Sequence, residues 1–272
     1  MKNKILFLLI GIVLLTFSCA TNPFSGKSTM ALVPESEILP SAFQEYGKFL
    51  STNKVISGTI DAKRVESVGM KIKSASERWL NANGYKDYLV NYRWEYKLVE
   101  GKEVNAWCMP GGKIVFYTGI LPICLDDAGM ATVMGHEVAH ALANHGQQRM
   151  SANQLQQIGG VALAAATSGK SAQTRDLWSQ AYGIGSQVGG MLPFSRAHES
   201  EADKIGLTLM ALAGYNPENA IAFWTRMSKA SGGKNNDEFL STHPSDVTRI
   251  SNLKALIPEA KAEAKKYGVV FK

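Results

Sequence analysis

His136 and His140 bracket Glu137 in an H-E-x-x-H. On a helix, residues four apart share a face, so both imidazoles can reach one metal ion. Glu137 projects beside that face, where it can take a proton from a metal-bound water, as metal-assisted peptide hydrolysis requires. A catalytic zinc needs three protein ligands and an open position for water, so a third ligand must come from another element. Glu199-Ser200-Glu201-Ala202-Asp203 offers one. Glu199 and Asp203 are four apart and share a face; one can bind the metal while the other orients a ligand histidine through its free ring nitrogen. Glu201 is the competing ligand by spacing. The short H-E-x-x-H also suits two ordinary surface histidines, so the rest of the chain has to decide.

The elements that must position these residues are legible in outline. Asp126-Asp127 opens the helix that carries the histidines, acidic at its positive end. Ala139, Ala141 and Ala143 keep that helix slim enough for a close-packed core, and it ends near Gly146. The second ligand helix covers residues 195–213 and stops at Gly214-Tyr215-Asn216-Pro217. Upstream, a turn-rich lead-in is followed by helices over residues 35–50 and 61–80, with Asp61 at an N-terminus. Strands follow over residues 90–99, 103–109 and 113–118, with Tyr92, Trp94, Tyr96 and Leu98 alternating on one face. Pro110-Gly111-Gly112 marks a hairpin turn between the second and third. Residues 154–190 turn to Gly, Ala, Ser and Gln, with a helix over 158–167 and a mobile loop at Gly183, Gly185, Gly189 and Gly190. A helix over 218–229, a flexible link at 231–237 and a tight Thr242-His243-Pro244-Ser245 turn come next. One more helix ends before Pro258, and a lysine-rich helix finishes the chain. The pattern is α+β, mainly helical, with a small antiparallel sheet beside the active-site helix.

At 272 residues and 45% hydrophobic content, the composition is globular, and residues 19–272 are read as a single domain. Residues 1–18 read as a signal peptide of lipoprotein type: Lys2 and Lys4, an apolar run over residues 5–17, then Ser18-Cys19. Thr16 and Phe17 depart from the usual Leu and small residue of such signals. Cys19 then becomes the lipid-bearing residue, which places the protein in the periplasm, held to the outer membrane. The formal charge of +6 falls to +4 without Lys2 and Lys4, and no Lys/Arg cluster points to nucleic acid. Cys108 and Cys124 flank a strand and are read as two thiols rather than a disulfide.

Taken together, His136-Glu137-x-x-His140 and Ser195-Arg196-x-x-Glu199-x-Glu201-Ala202-Asp203 resemble metallopeptidase family forty-eight. Asn22-Pro23-Phe24-Ser25-Gly26, Asn105-Ala106 with Pro110-Gly111-Gly112, Thr118-Gly119-Ile120-Leu121, and His243-Pro244 with Arg249 also match its pattern. The resemblance covers nearly the whole chain after Cys19. Lacking tetratricopeptide repeats and membrane spans, the chain is most similar to the short periplasmic lipoprotein type, LoiP-like. The resemblance implies a zincin-like fold with one zinc per chain. It further implies Glu199 as the third ligand and Asp203 as the group that orients a ligand histidine.

In such enzymes Glu137 accepts the proton of the attacking water and passes it to the leaving amine. The histidine matching His243 can approach the zinc and hold the enzyme latent; the alternative is a residue that only caps a turn. His243 and Arg196 are also possible stabilisers of the oxyanion. His145, five residues past His140, falls off the ligand face and is read as a surface histidine, and His198 as structural or exposed. The strand with Trp107 and Met109 can pair with substrate backbone. The expected activity is zinc-dependent endopeptidase action on unfolded or misassembled envelope proteins. The competing reading is a chaperone-like assembly factor for outer-membrane proteins that uses the fold mainly for binding.

Overall fold

A computed structural model of the chain describes residues 19–230, residue 243 and residues 247–271. The leader, the link at 231–237 and the neighbours of His243 in its turn lie outside the described residues. The elements in chain order begin with β1 (Cys19–Thr21), β2 (Ser28–Met30), α1 (Glu35–Thr52), β3 (Val55–Ile56) and α2 (Ile60–Ala82). Next come β4 (Glu95–Val99), β5 (Ala106–Met109), β6 (Lys113–Tyr117), a single turn at Thr118–Ile120 and the short α3 (Leu121–Cys124). Then follow α4 (Asp127–Leu142), α5 (His145–Ala166), α6 (Ala172–Ser186) and a wide π turn over Gln187–Met191. α7 (Leu192–Leu212), α8 (Asn219–Ala230) and α9 (Val247–Lys266) complete the order. Contacts group these into two compact units: the chain up to Ile38 with Asn144–His198, and Leu39–Ala143 with Glu199–Lys272.

The second unit is built around a four-stranded sheet in the order β3-β4-β6-β5. The fold is α+β and mainly helical, as expected. Two of the three strand pairings are antiparallel, including the β5–β6 hairpin, while the central β4–β6 pairing is parallel. On one sheet face Val99, Val115, Trp107 and Met109 pack with Tyr46 of α1. On the other, α2 lies against Tyr96 at Gly69, where a Cβ would stand 2.2 Å from the ring. α4 packs against α2, α8 and the edge strand β5.

Burial explains why α4 is where it is. Every residue from Gly129 to Leu142 is buried, so the helix has no solvent face to spare for its two histidines. Asp126 caps its start by accepting from the Gly129 N–H at 2.8 Å. Its last carbonyls accept from the hydroxyls of Tyr88 (to Leu142, 2.7 Å) and Tyr92 (to Ala141, 3.2 Å). Those bonds correct the strand expected from residue 90: the segment before Glu95 turns so that its tyrosines close a helix end. α4 also stops at Leu142 rather than near Gly146, because Asn144 adopts a left-handed φ of 56° before α5 begins. α9 runs through Pro258, against expectation. Pro258 removes one helical hydrogen bond, while Leu253 on one side and Ala260 and Ala264 on the other are buried.

In the first unit, β1 and β2 form a small antiparallel pair. The chain after them is tied to α5: Leu32 N–H donates to Ser151 Oγ at 3.0 Å, and Gln147 Nε2 to the Val33 carbonyl at 2.7 Å. His145 is fully buried, correcting the surface reading, and its ring stacks on His198 with centroids 4.0 Å apart. Gln148 Oε1 lies 3.1 Å from His198 Nε2, which makes that histidine structural. The glycine-rich stretch expected as a loop is helical: α6 continues to Ser186 and the π turn absorbs Gly189 and Gly190. None of those glycines has a positive φ, so the hydrogen-bonded helix passes through them.

Candidate metal centre

α4 and α7 cross at a pair of glycines. A Cβ on Gly135 would stand 2.7 Å from the Gly206 carbonyl oxygen, and one on Gly206 would stand 2.9 Å from the His136 nitrogen. This backbone contact brings the face of α7 carrying Glu199, Asp203 and Gly206 onto the face of α4 carrying His136 and His140.

Four side chains converge there: His136, His140, Glu199 and His243, whose ligand atoms all lie within 4.8 Å of one another. His136 Nε2 is 3.1 Å from His140 Nε2, 3.3 Å from Glu199 Oε2 and 3.1 Å from His243 Nδ1. Glu199 Oε1 is 3.2 Å from His140 Nε2, and Oε2 is 2.9 Å from His243 Nδ1. For ligands about 2.0–2.1 Å from a tetrahedral zinc, neighbouring ligand atoms stand roughly 3.3 Å apart. The observed spacings fit such an ion. Imidazole nitrogens this close repel unless a proton or a cation lies among them, and the nitrogen-rich donor set suits zinc or a related transition metal.

The electrostatics agree. Burial would push His136 toward the neutral form, but hydrogen bonds to Asp203 and Glu199 hold its pKa up, to about 9. At His140 burial prevails and the pKa falls well below the ordinary histidine value. Burial works against the Glu199 carboxylate too, yet hydrogen bonds with His136, His140 and His243 keep it ionised far below the usual range. Glu137 is buried at 4% exposure and its pKa is raised by that burial. Its Oε1 has no hydrogen-bond partner, and the nearest imidazole nitrogen, His243 Nε2, is 3.5 Å away. An orphaned carboxylate oxygen beside the cluster is what a water-activating base would offer.

Behind the cluster, Asp203 Oδ1 lies 3.0 Å from His136 Nδ1, the ring nitrogen facing away from the other ligands. Arg249 grips Asp203 with two bonds, Nε to Oδ2 at 2.8 Å and Nη2 to Oδ1 at 2.7 Å. Its Nη1 also donates to the His243 carbonyl at 3.1 Å, and its guanidinium lies 3.6 Å from the centre of the Trp224 ring. One buried arginine therefore braces both the carboxylate bonded to His136 and the backbone of His243.

The structure thus brings together His136, Glu137, His140, Glu199, Asp203 and His243 from the sequence-based set. Glu201 is not among the four converging residues. Arg196 is exposed, and the guanidinium at the centre is that of Arg249 instead. The sequence marked Arg249 only by its place after His243-Pro244, and nothing in its spacing signalled the bond to Asp203. Trp107 and Met109 face α1 rather than the cluster, and β5 lies at the end of the sheet order. Cys108 and Cys124 are free thiols, and Cys19 is exposed at the start of β1.

Residues 69–257, which include every residue of this centre, match Peptidase family M48. The chain is 36% identical over 212 residues to the mitochondrial metalloendopeptidase OMA1 of Saccharomyces cerevisiae, covering 72% of this chain and 56% of that one. To OMA1 of Homo sapiens it is 27% identical over 246 residues, covering 88% of this chain and 46% of the relative. The β-barrel assembly-enhancing protease of Escherichia coli is 25% identical over 208 residues, 73% of this chain and 39% of the relative. The chain spans about half the length of these relatives, or less. With the family match covering the centre and well over half of the sequence, the chain belongs to peptidase family M48.

Proposed function

We propose that the protein is a zinc-dependent endopeptidase of the bacterial cell envelope, acting on misfolded or misassembled envelope proteins. The observation that carries the reading is the buried His136–His140–Glu199 cluster with the unpartnered Oε1 of Glu137 beside it. His136, His140 and Glu199 would hold one zinc ion. When bound there, zinc supplies a Lewis acid for the scissile carbonyl and lowers the pKa of its water to about 7. Glu137 takes the proton of the attacking water at Oε1 and returns it to the leaving amine; its burial raises its proton affinity and favours that task. Asp203 fixes the orientation of His136 through Nδ1. β5, which packs on α4 and is an edge strand among the described residues, offers backbone groups for an extended substrate strand. His243, set among the ligands, occupies the position an attacking water needs, which supports a latent resting state.

The envelope location rests on the lipoprotein-type leader ending at Cys19 and on the Escherichia coli relative, whose name ties a protease of this family to β-barrel assembly. The OMA1 relatives, named as metalloendopeptidases, support the reaction class. The test is Glu137→Gln: metal content should stay at one ion per chain while digestion of unfolded casein falls by about a hundredfold or more. Metal lost together with activity would move Glu137 into the ligand set. Full activity without Glu137 would end the proposal. His140→Ala and Glu199→Ala should each lower metal content, and Glu201→Ala should not.

A further inference from the structure

We propose that the α5–α6 hairpin is a membrane-interface anchor whose outward apolar face lies in the headgroup layer of a lipid bilayer. This rests on the envelope location proposed above. Nine of the fifteen exposed large hydrophobic residues among the described residues fall between Met150 and Leu192, so the exposure is concentrated here. Ile158 (62% exposed), Val161 (71%), Leu177 (65%), Trp178 (56%), Ile184 (66%) and Val188 (59%) all point outward. α6 has no buried residue at all.

The seam between the two helices is built the other way round. Tyr182 Oη donates to the Gln156 carbonyl at 2.8 Å, and Gln156 Nε2 to Ser186 Oγ at 2.7 Å. Gly159 sits so close to the Tyr182 hydroxyl that a Cβ would meet it at 2.1 Å. A hairpin with small and polar groups inside and large apolar ones outside is inverted for water and suited to lipid.

Three observations choose a bilayer as the occupant. The stretch from Ser151 to Ser195 carries only Lys170, Arg175 and Asp176, with both cations near the turn between the helices, where headgroup phosphates would meet them. An exposed tryptophan suits the interface. The apolar run of residues 5–17 ends at Cys19, the first residue of β1, and β2 packs on α5 in the same compact unit. A tether there would hold the hairpin at a membrane. The 15 residues of α6 extend about 22 Å, short of the roughly 30 Å hydrocarbon core, and no described helix is long and apolar enough to cross. The hairpin therefore lies on the bilayer rather than through it.

The test uses the full chain with phosphatidylethanolamine–phosphatidylglycerol vesicles whose acyl chains are brominated near the headgroup. Tryptophan emission should be quenched on binding, and Trp178→Phe should reduce that quenching at least threefold. Leu177→Gln with Ile184→Gln should reduce co-sedimentation with the vesicles several-fold while circular dichroism stays unchanged. Equal quenching with and without Trp178 would overturn the proposal. So would a dimer in sedimentation that the two glutamines dissociate, since a second copy would then cover the face. Cys19→Ala separates the two ideas. If its fractionation is unchanged, the lipid tether fails, and quenching through Trp178 still decides the hairpin.

Discussion

Gly206 of α7 stands against the backbone of Gly135 and His136 of α4, and this glycine contact sets the distance between the two halves of the metal cluster. Three residues before it on the same face is Asp203, and seven before it is Glu199. Any group that pries the helices apart moves a carboxylate away from both histidines. Helix axes this close need residues without side chains at the crossing, and both helices supply one.

Gly206→Ala therefore tests the positioning directly. Its Cβ would meet only backbone, at 2.9–3.0 Å, and backbone cannot swing aside as a side chain can. The expected cost is about 1–3 kcal/mol of stability, with weaker metal binding. Gly47→Ala is the control: it lies in α1 with nothing within 4 Å of a new Cβ. It should be neutral or raise stability by up to about 1 kcal/mol. Thermal melts with and without added zinc measure both, and equal effects at the two glycines would refute the close-contact account.

Arg249→Lys should weaken zinc retention without removing a ligand. Lysine cannot reproduce the two bonds to Asp203 or the flat contact with Trp224. Loosening the groups that orient a ligand histidine costs about 10–100-fold in metal affinity. Competition against a chromogenic chelator reads this quantity. An unchanged affinity would leave Arg249 as a brace for His243 alone.

Which residues share a helix face at the cluster was legible because that geometry is local, although the choice of Glu199 over Glu201 came from the family resemblance and not from spacing. H-E-x-x-H and the Glu199–Asp203 spacing are both four-residue relations, and a helix turns such a spacing into a face. Arg249 was not, because its partner Asp203 lies 46 residues away and only the packing of α9 brings them together. His145 shows the same limit. Spacing correctly removed it from the ligand face, but its burial comes from stacking on His198, on a different helix. In the sheet, alternation identified strands without revealing neighbours, so the parallel β4–β6 pairing was invisible. Tyr92 was read for strand character, whereas its hydroxyl, with that of Tyr88, bonds the last carbonyls of α4.

The internal thiols should be silent. Burial raises the Cys124 pKa to about 12 and pushes Cys108 well up too, with the Glu137 charge adding to the second shift. At pH 8 only about one Cys124 in ten thousand would be thiolate, the form that reacts. In a Cys19→Ala chain, iodoacetamide at pH 8 should label neither cysteine until denaturant is added. Because the folded state favours the protonated thiol, its contribution to stability is present below about pH 8.5, the unfolded value, and is lost as pH rises toward 12. Rapid native labelling at Cys124 would show that α3 opens.

Removing His243 should release the site. Its Nδ1 lies 3.1 Å from His136 Nε2 and 2.9 Å from Glu199 Oε2, and its Nε2 faces the orphaned oxygen of Glu137. An imidazole there competes for the place where water must meet Glu137. His136, His140 and Glu199 remain as a complete set of three without it. His243→Ala is therefore expected to keep zinc at one per chain while raising casein hydrolysis and self-cleavage several-fold. Arg249 stays bound to Asp203 through two of its nitrogens, with Nη1 3.5 Å from Glu199 Oε2, so it is not expected to take the imidazole's place. A fall in activity at full occupancy would make His243 a stabiliser of the transition state. A fall in zinc content would make it a fourth structural ligand. Unchanged activity and zinc would leave it a turn residue.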